Sequence, residues 1–384
     1  MTIESEKSLP KSVYGARWHQ TYTESEPPSL SSIRKSIPKH CFEPSLSRSF
    51  FYLGKDLLLM SICFLFMLFW GSKLASPFQE ITWAAYWIVQ GTLFWALFVV
   101  GHDCGHESFS KYKLVNNIVG SIIHGFLLVP YKSWALSHRH HHKYTSNFHK
   151  DDLFAPEIES SKPWKKRKTH WTARLRRFSA GMFGLMWLPY LIGFSKSLSS
   201  HFWPFDPLFK DNRTWVSISI MVVFIITALL AWFSLEFGFM NFIAYYFIPW
   251  FIFASWLVVT TFLHHNHSDV PWYSKDSWTF VKGSLSTMDR SYGMFNHLVH
   301  HIGTHQIHHL FSFIPHYHLV EATLHFRSTF PNHYRYCHDS ISKEYWDASL
   351  RYTNHGFMEK GKERFYYSKE TPDLGKQHRP IKSH

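Results

Sequence analysis

Only four cysteines occur in 384 residues, at Cys41, Cys63, Cys104 and Cys337, and no two form a CxxC pair. A disulfide-stapled secreted fold is thereby excluded. Acidic residues are few: 27 Asp and Glu stand against 40 Lys and Arg, a formal net charge of +13. Such a chain suits nucleic acid or an anionic membrane surface, and composition alone does not choose between them. No cleavable signal peptide is expected, because the first fifty residues are polar and hold Pro, Ser and charges. Aromatics and histidine are abundant by contrast. Phe, Tyr and Trp make up 19% of the chain, which argues against disorder. Histidine occurs 29 times.

Charge is missing above all from four stretches. Leu57 to Ala75 holds only Lys73, Ile81 to Val100 holds none, Thr214 to Phe237 holds only Glu236, and Met240 to Leu263 holds none. Each is near the roughly 20 residues that cross a hydrocarbon core as a helix. Buried helices of a large soluble protein are the bland alternative, but several uncharged runs of this length rarely coexist in one. The expected fold is therefore an all-α integral membrane protein with four transmembrane helices in two hairpins. Leu114 to Pro130 and Ala180 to Phe194 are apolar but broken by polar residues, Gly or Pro, and read as interfacial or re-entrant.

Short connections, Ser76 to Glu80 and then Gly238 with Phe239, leave everything else on one side of the membrane. Of all the Lys and Arg only Lys73 falls at a hairpin loop, so the positive-inside rule puts both termini and the large loops in the cytosol. The basic stretch Lys162 to Arg177 then reads as a juxtamembrane surface facing anionic lipid, not as a nucleic-acid site. The organisation expected is a cytosolic segment 1–50, a membrane domain 51–330 and a cytosolic tail 331–384. The first forty residues and the tail after Glu359 are expected to be loosely ordered.

Three histidine clusters remain: His102-Asp-Cys-Gly-His106, His138-Arg-His-His141-His142 and His305-Gln-Ile-His308-His309. Residues i and i+4, or i, i+3 and i+4, share a helical face and can grip one metal. Cluster one follows span two, cluster two precedes span three, and cluster three follows span four. All three therefore lie on one membrane face, as a histidine-rich helical cap. Eight imidazoles exceed the needs of one zinc, which takes four ligands or three plus water. Magnesium and calcium prefer oxygen, whereas imidazole suits Zn, Cu, Fe and Ni. Two metals with about four nitrogens each use the set.

The chain resembles the integral-membrane fatty acid desaturases, in particular the methyl-end group of Δ12 and omega-3 enzymes. HDCGH, HRHHH and HQIHH match that family's histidine boxes. IPKHCF (37–42), RSFFYL (48–53), LVPYKSWALSHRHHH, KDDLFAP (150–156), STMDRSYG (286–293) and IPHYHLVEAT (314–323) match it as well, so the likeness runs over residues 33 to 325. It implies two iron ions, O2 as oxidant, two electrons from a separate donor and removal of two hydrogens from a membrane lipid's acyl chain. The ligands it implies are His102, His106, His138, His141, His142, His305, His308 and His309, with His140 left out as a polar neighbour. An additional Asn-x-x-x-His of the superfamily matches Asn296 and His300, which adds His300 as a further ligand, with His301 as the alternative and Asn296 behind it. Asp103 is either a carboxylate orienting an imidazole or a helix-surface acid. His264, His265 and His267 are either groups behind the ligands or satisfied interfacial histidines, the latter for His264.

No His-Pro-Gly-Gly haem motif is present, so the resemblance implies a separate cytochrome b5 and its NADH-dependent reductase, or ferredoxin in a plastid. Glu4, Glu6, Glu24 and Glu26 are unlike a transit peptide, which favours the endoplasmic reticulum. Omega-3 activity is favoured, because GTHQIHHLF and IPHYHL lean that way, with Δ12 as the alternative. A lipid hydroxylase shares the boxes. A multi-pass metal transporter is disfavoured, since spans two and four hold no ionisable residue.

Overall fold

A computed structural model describes residues 13, 25–151, 157–158, 183–193, 198–354, 357–358 and 364–366. The basic stretch 162–177, nearly all of the first 24 residues, all of 152–156 and the tail from 367 lie outside the described residues. The chain is mostly helical. Helix α1 is Leu30–Ser36, α2 Leu46–Phe69, α3 Phe78–Gly105, α4 Lys113–Phe126, α5 Tyr131–Tyr144 and α6 Trp187–Ile192. Then come α7 Arg213–Phe237, α8 Phe239–Phe242, α9 Ile248–His265, α10 Phe280–Ser284, α11 His305–Leu310, α12 His316–Thr329 and α13 Ile341–Asn354.

Among the described residues, four helical stretches are long and apolar enough to cross a membrane: Leu46–Lys73, Phe78–Gly105, Arg213–Phe237 and Phe239–His265. The first starts well before the expected Leu57. Ser45 caps it by accepting the Arg48 N–H, and the helix runs on through Lys55 and Asp56 because Asp56 is buried against a partner. The second and fourth stretches are inner helices, 72% and 50% buried, while the first and third are only 17% and 22% buried. The outer pair exposes Leu58, Ile62, Phe66, Phe224, Leu229 and Leu235, an apolar belt suited to lipid and not to water.

The inner helices meet closely. A Cβ on Gly91 would stand 2.6 Å from Ile252 and 2.8 Å from the Pro249 carbonyl oxygen. Pro249 has no N–H, and a wider π-type turn, Ile243–Phe247, precedes it. Two carbonyls of that turn are taken up by α3: Tyr86 Oη donates to the Tyr245 oxygen at 3.0 Å and Trp87 Nε1 to the Ala244 oxygen at 2.9 Å. Helices α4 and α5 meet at a 103° bend, as the polar breaks and Pro130 foretold. Leu114, Ile118 and Ile122 form an exposed apolar stripe on α4.

Residues beyond the helical body pack back on it. Ile33, Ile37 and Cys41 join Leu310, Ile314, Leu319 and Phe326 in one apolar cluster. Strand β3 (Asp289–Arg290) pairs in parallel with β4 (Tyr336–Cys337). Ala348 of α13 packs on Val259, Phe262 and Leu263 of α9. The expected boundary after residue 330 thus falls within packed structure. The remaining strands are two-residue pairs, β1 (Glu157–Ile158) with β5 (Phe357–Met358) and β2 (Trp272–Tyr273) with β6 (Arg364–Phe365).

Candidate metal centre

The inner helices α3 and α9 carry His102 and His265 in their last turns, and α5 and α11 bring the other two boxes against them. The histidines form two groups. In the first, the ring nitrogens of His102, His106, His138, His142 and His308 lie within 4.8 Å of one another. In the second, those of His141, His265 and His309 do so, and His305 completes it. Its Nε2 is 3.1 Å from His265 Nε2 and 3.0 Å from His309 Nε2, while His141 Nε2 is 3.3 Å from His265 Nε2. The groups adjoin, with His142 and His309 stacked at 4.0 Å between centroids.

These spacings fit a pair of metals. Two nitrogens held at about 2.1 Å by one ion stand about 3 Å apart. Nε2 of His106 and of His308 are buried with no hydrogen-bond partner, a costly arrangement unless a cation takes their lone pairs. Burial, followed by the His102, His308 and His138 imidazoles, holds His106 well below the usual imidazole range. Burial first, and then the imidazoles around each of them, hold His305, His308 and His309 down as well. Neutral rings are the ligating form.

Groups behind the rings fix their tautomers. His141 Nδ1 donates to Asp151 Oδ1 at 2.8 Å, and Asp151 Oδ2 accepts the Ser146 N–H at 2.8 Å. Thr145 Oγ1 donates to the His141 carbonyl at 2.8 Å, so it accepts from His309 Nδ1 at 2.9 Å. Each leaves Nε2 as a free lone pair aimed at the second group. Asp289 Oδ1 accepts the backbone N–H groups of His305 and Gln306 at 2.7 and 2.8 Å, anchoring the start of α11. Burial is the main reason that the Asp289 carboxyl is pushed up to about 7.

The eight box histidines expected from the sequence all fall in the two groups. His300 does not. Its Nε2 is 2.6 Å from Asp56 Oδ2, and it belongs to neither group. The shared helical face expected for Asn296 and His300 is absent, because His300 and His301 have φ of 53° and 55° and the segment turns instead. Asn296 Oδ1 accepts the Tyr292 N–H, and its Nδ2 donates to Ser291 and Gly293, all at 2.8 Å. It stabilises that turn. Asp103 Oδ2 accepts from both the backbone N and Nδ1 of His316, at 3.1 and 2.8 Å, and Oδ1 lies 3.9 Å from His102 Nδ1. It ties the ligand-bearing end of α3 to α12. His140 points away, its Nε2 donating to the Lys150 carbonyl at 3.2 Å. His264 is satisfied: Nδ1 donates to the Met288 carbonyl and Nε2 accepts from Tyr292 Oη. His265, Asp151, Thr145 and Asp289 are the residues that the boxes alone did not single out.

Four membrane-length helices with two adjoining polyhistidine groups at the ends of the inner pair make a membrane protein that could hold two metal ions. Residues 81–340 match the family described as fatty acid desaturase. The chain is 36% identical over 345 residues, 89% of its length and 92% of the relative's, to an sn-1 acyl-lipid omega-3 desaturase (ferredoxin) of Nostoc sp.. It is 39% identical over 317 residues, 81% of its length and 79% of the relative's, to an acyl-lipid omega-3 desaturase (cytochrome b5) of the endoplasmic reticulum of Arabidopsis thaliana. A Δ(12)-oleate desaturase of Trichosanthes kirilowii is 37% identical over 331 residues, 84% of this chain and 89% of that one. The chain belongs to the fatty acid desaturase family.

Proposed function

We propose that this chain is an O2-dependent oxidoreductase that inserts a cis double bond toward the methyl end of an already unsaturated acyl chain, at the omega-3 position. The observation that carries the reading is the convergence of nine histidines, eight of them buried and His138 half-buried, into two adjoining groups at one end of the inner helices. His102, His106, His138, His142 and His308 would hold one iron, and His141, His265, His305 and His309 the other. Bound there, the iron pair supplies the O2-dependent oxidising power that removes two hydrogens from an unactivated acyl chain. Two electrons and two protons from outside then balance the conversion of O2 to two waters.

The protein's own residues prepare that chemistry. Asp151 and Thr145 orient His141 and His309 as lone-pair donors. Asp289 fixes box three, and Asp103 fixes the end of α3 against α12. Trp134 stacks on His138 at 4.7 Å and Phe98 packs on Trp134 at 5.0 Å, which keeps water from the pockets on the membrane side. The near absence of Lys and Arg from the two short connections supports four spans in two hairpins, with both termini and the histidine cap cytosolic. A net charge of +13 suits an acidic electron carrier. We take that carrier to be cytochrome b5 with its NADH-dependent reductase at the endoplasmic reticulum, in line with the name of the Arabidopsis relative.

The test is product analysis by gas chromatography in yeast expressing the chain. Linoleate is expected to give its omega-3 triene. Conversion of oleate to linoleate with no omega-3 product would transfer the assignment to Δ12, and a hydroxylated product would transfer it to a lipid hydroxylase.

A further inference from the structure

Two of the segments that carry the family resemblance, IPKHCF and IPHYHLVEAT, place no histidine in the two box-histidine groups. They meet each other instead. His40 and Cys41 lie in a single turn, Lys39–Phe42, that precedes the first span. His318 and Glu321 lie one turn apart on α12. His40 Nε2 is 3.0 Å from both Glu321 oxygens, and His318 Nδ1 is 3.7 Å from Oε2. One ligand atom from each of the four residues lies within 4.8 Å of the other three. Cys41 is fully buried beside them.

We propose that His40, Cys41, His318 and Glu321 bind a structural zinc ion that clamps the N-terminal segment onto α12. The donor set is the argument. One thiolate, two imidazoles and one carboxylate make four ligands of the types that zinc takes, and the two negative groups balance its charge. Magnesium and calcium are disfavoured by the sulfur and the nitrogens. Ligand atoms around a tetrahedral zinc stand about 3.3–3.8 Å apart, so the present spacing of up to 4.8 Å is about 1 Å wider than a closed site. The surrounding chain is already docked: the Ser45 N–H donates to Tyr317 Oη at 2.8 Å, and Ile33, Ile37 and Cys41 pack on Leu319 and Ala322.

Two neighbours set the chemistry of binding. Burial, then the Glu321 carboxylate, pushes the Cys41 thiol up to about 12. The metal-free thiol therefore keeps its proton, and zinc uptake releases it. Arg48 Nη1 lies 3.4 Å from His318 Nε2, the ring nitrogen away from Glu321. Ligation through Nδ1 puts the ring proton on Nε2, so Arg48 must turn aside. Its guanidinium already lies 5.9 Å from the Tyr317 ring centroid, where it can rest.

The site is separate from the box histidines, which offer nitrogen only, so a sulfur neighbour distinguishes zinc bound here from zinc bound by them. Full-length protein purified in detergent without chelator, from zinc-supplemented cells, is assayed for metals and by zinc-edge X-ray absorption. The expected result is about one zinc per chain with a single sulfur at about 2.3 Å. Cys41→Ala and Glu321→Gln should each lower zinc at least tenfold while iron stays at the wild-type level. Wild-type protein without zinc would overturn the proposal. So would zinc that shows no sulfur neighbour, or zinc that persists unchanged in Cys41→Ala.

Discussion

Asp151→Asn tests the ligand geometry most directly. Asp151 uses one carboxylate oxygen for His141 Nδ1–H and the other for the Ser146 N–H, both at 2.8 Å. An amide cannot accept in both directions. If its oxygen keeps Ser146, its NH2 faces His141 Nδ1 and forces the other imidazole tautomer. The proton then sits on Nε2, the atom that stands 3.3 Å from His265 Nε2 in the second group, and His141 is lost as a ligand. If the amide flips, its NH2 opposes the Ser146 N–H and the loop after α5 is displaced. Removing a partner of this kind typically costs 10–100-fold in metal affinity or activity, about 1.4–2.8 kcal/mol. Iron per chain is measured after equilibration with a graded series of chelator, beside desaturation in cells. The variant should release iron at chelator concentrations roughly 10–100-fold lower than wild type, with His140→Ala as an unaffected control. Iron retention equal to wild type across the series would refute the tautomer argument.

Two further predictions separate the metal groups from their surroundings. His265→Ala should lose about one iron per chain and desaturase activity, whereas His300→Ala should keep its iron and unfold at lower temperature, because Asp56 keeps Lys55 at 3.4 Å but loses a buried hydrogen-bond donor at a cost of about 1.5–3 kcal/mol. Two irons in His265→Ala, or iron loss in His300→Ala, would reverse the placement of these residues. Acid should destabilise chelator-stripped protein. His106, His305, His308 and His309 are held below the usual imidazole range when folded, so the unfolded chain binds more protons once the pH falls below about 6.5. Their contribution is fully present above that pH and fades below it, by up to about 1.4 kcal/mol per group per pH unit. The thermal midpoint should fall between about pH 7.5 and pH 5.5, and a midpoint that stays level would contradict the burial of neutral rings.

The helices were legible because lipid imposes a simple rule. An uncharged run of about 20 residues has few alternatives to a spanning helix, and three of the four stretches match the expected bounds to within five residues at each end. The exception teaches something physical. Counting charges put the start of the first span after Asp56, but a charge ends a span only when it needs water. Asp56 has His300 instead, so the helix extends back to its true cap at Ser45. Nothing local to either residue announces that pair, since they lie 244 positions apart. The same holds for β3 with β4 and for α13 on α9, which long-range packing brings against the body past the boundary drawn at residue 330.

The site was legible where ligands come in repeated spacings and obscure where they come singly. His138, His141 and His142 share a helical face by arithmetic alone. His265 stands beside His264, and adjacent residues on a helix point about 100° apart, so only one of the two can face a given pocket. His264 turns to Met288 and Tyr292, which leaves His265 for the metal side. The available signal was positional: His265 ends an inner span as His102 does, at the same end of the molecule. Asn296 and His300 fail for the opposite reason. Their spacing is right for a helix, but a face exists only where the helix does, and left-handed backbone at His300 and His301 removes it. A spacing rule is thus evidence for a metal site only together with evidence for the element that carries it. The nine-histidine grouping meets that condition, since eight of its members lie on α3, α5, α9 and α11 and His106 caps the end of α3.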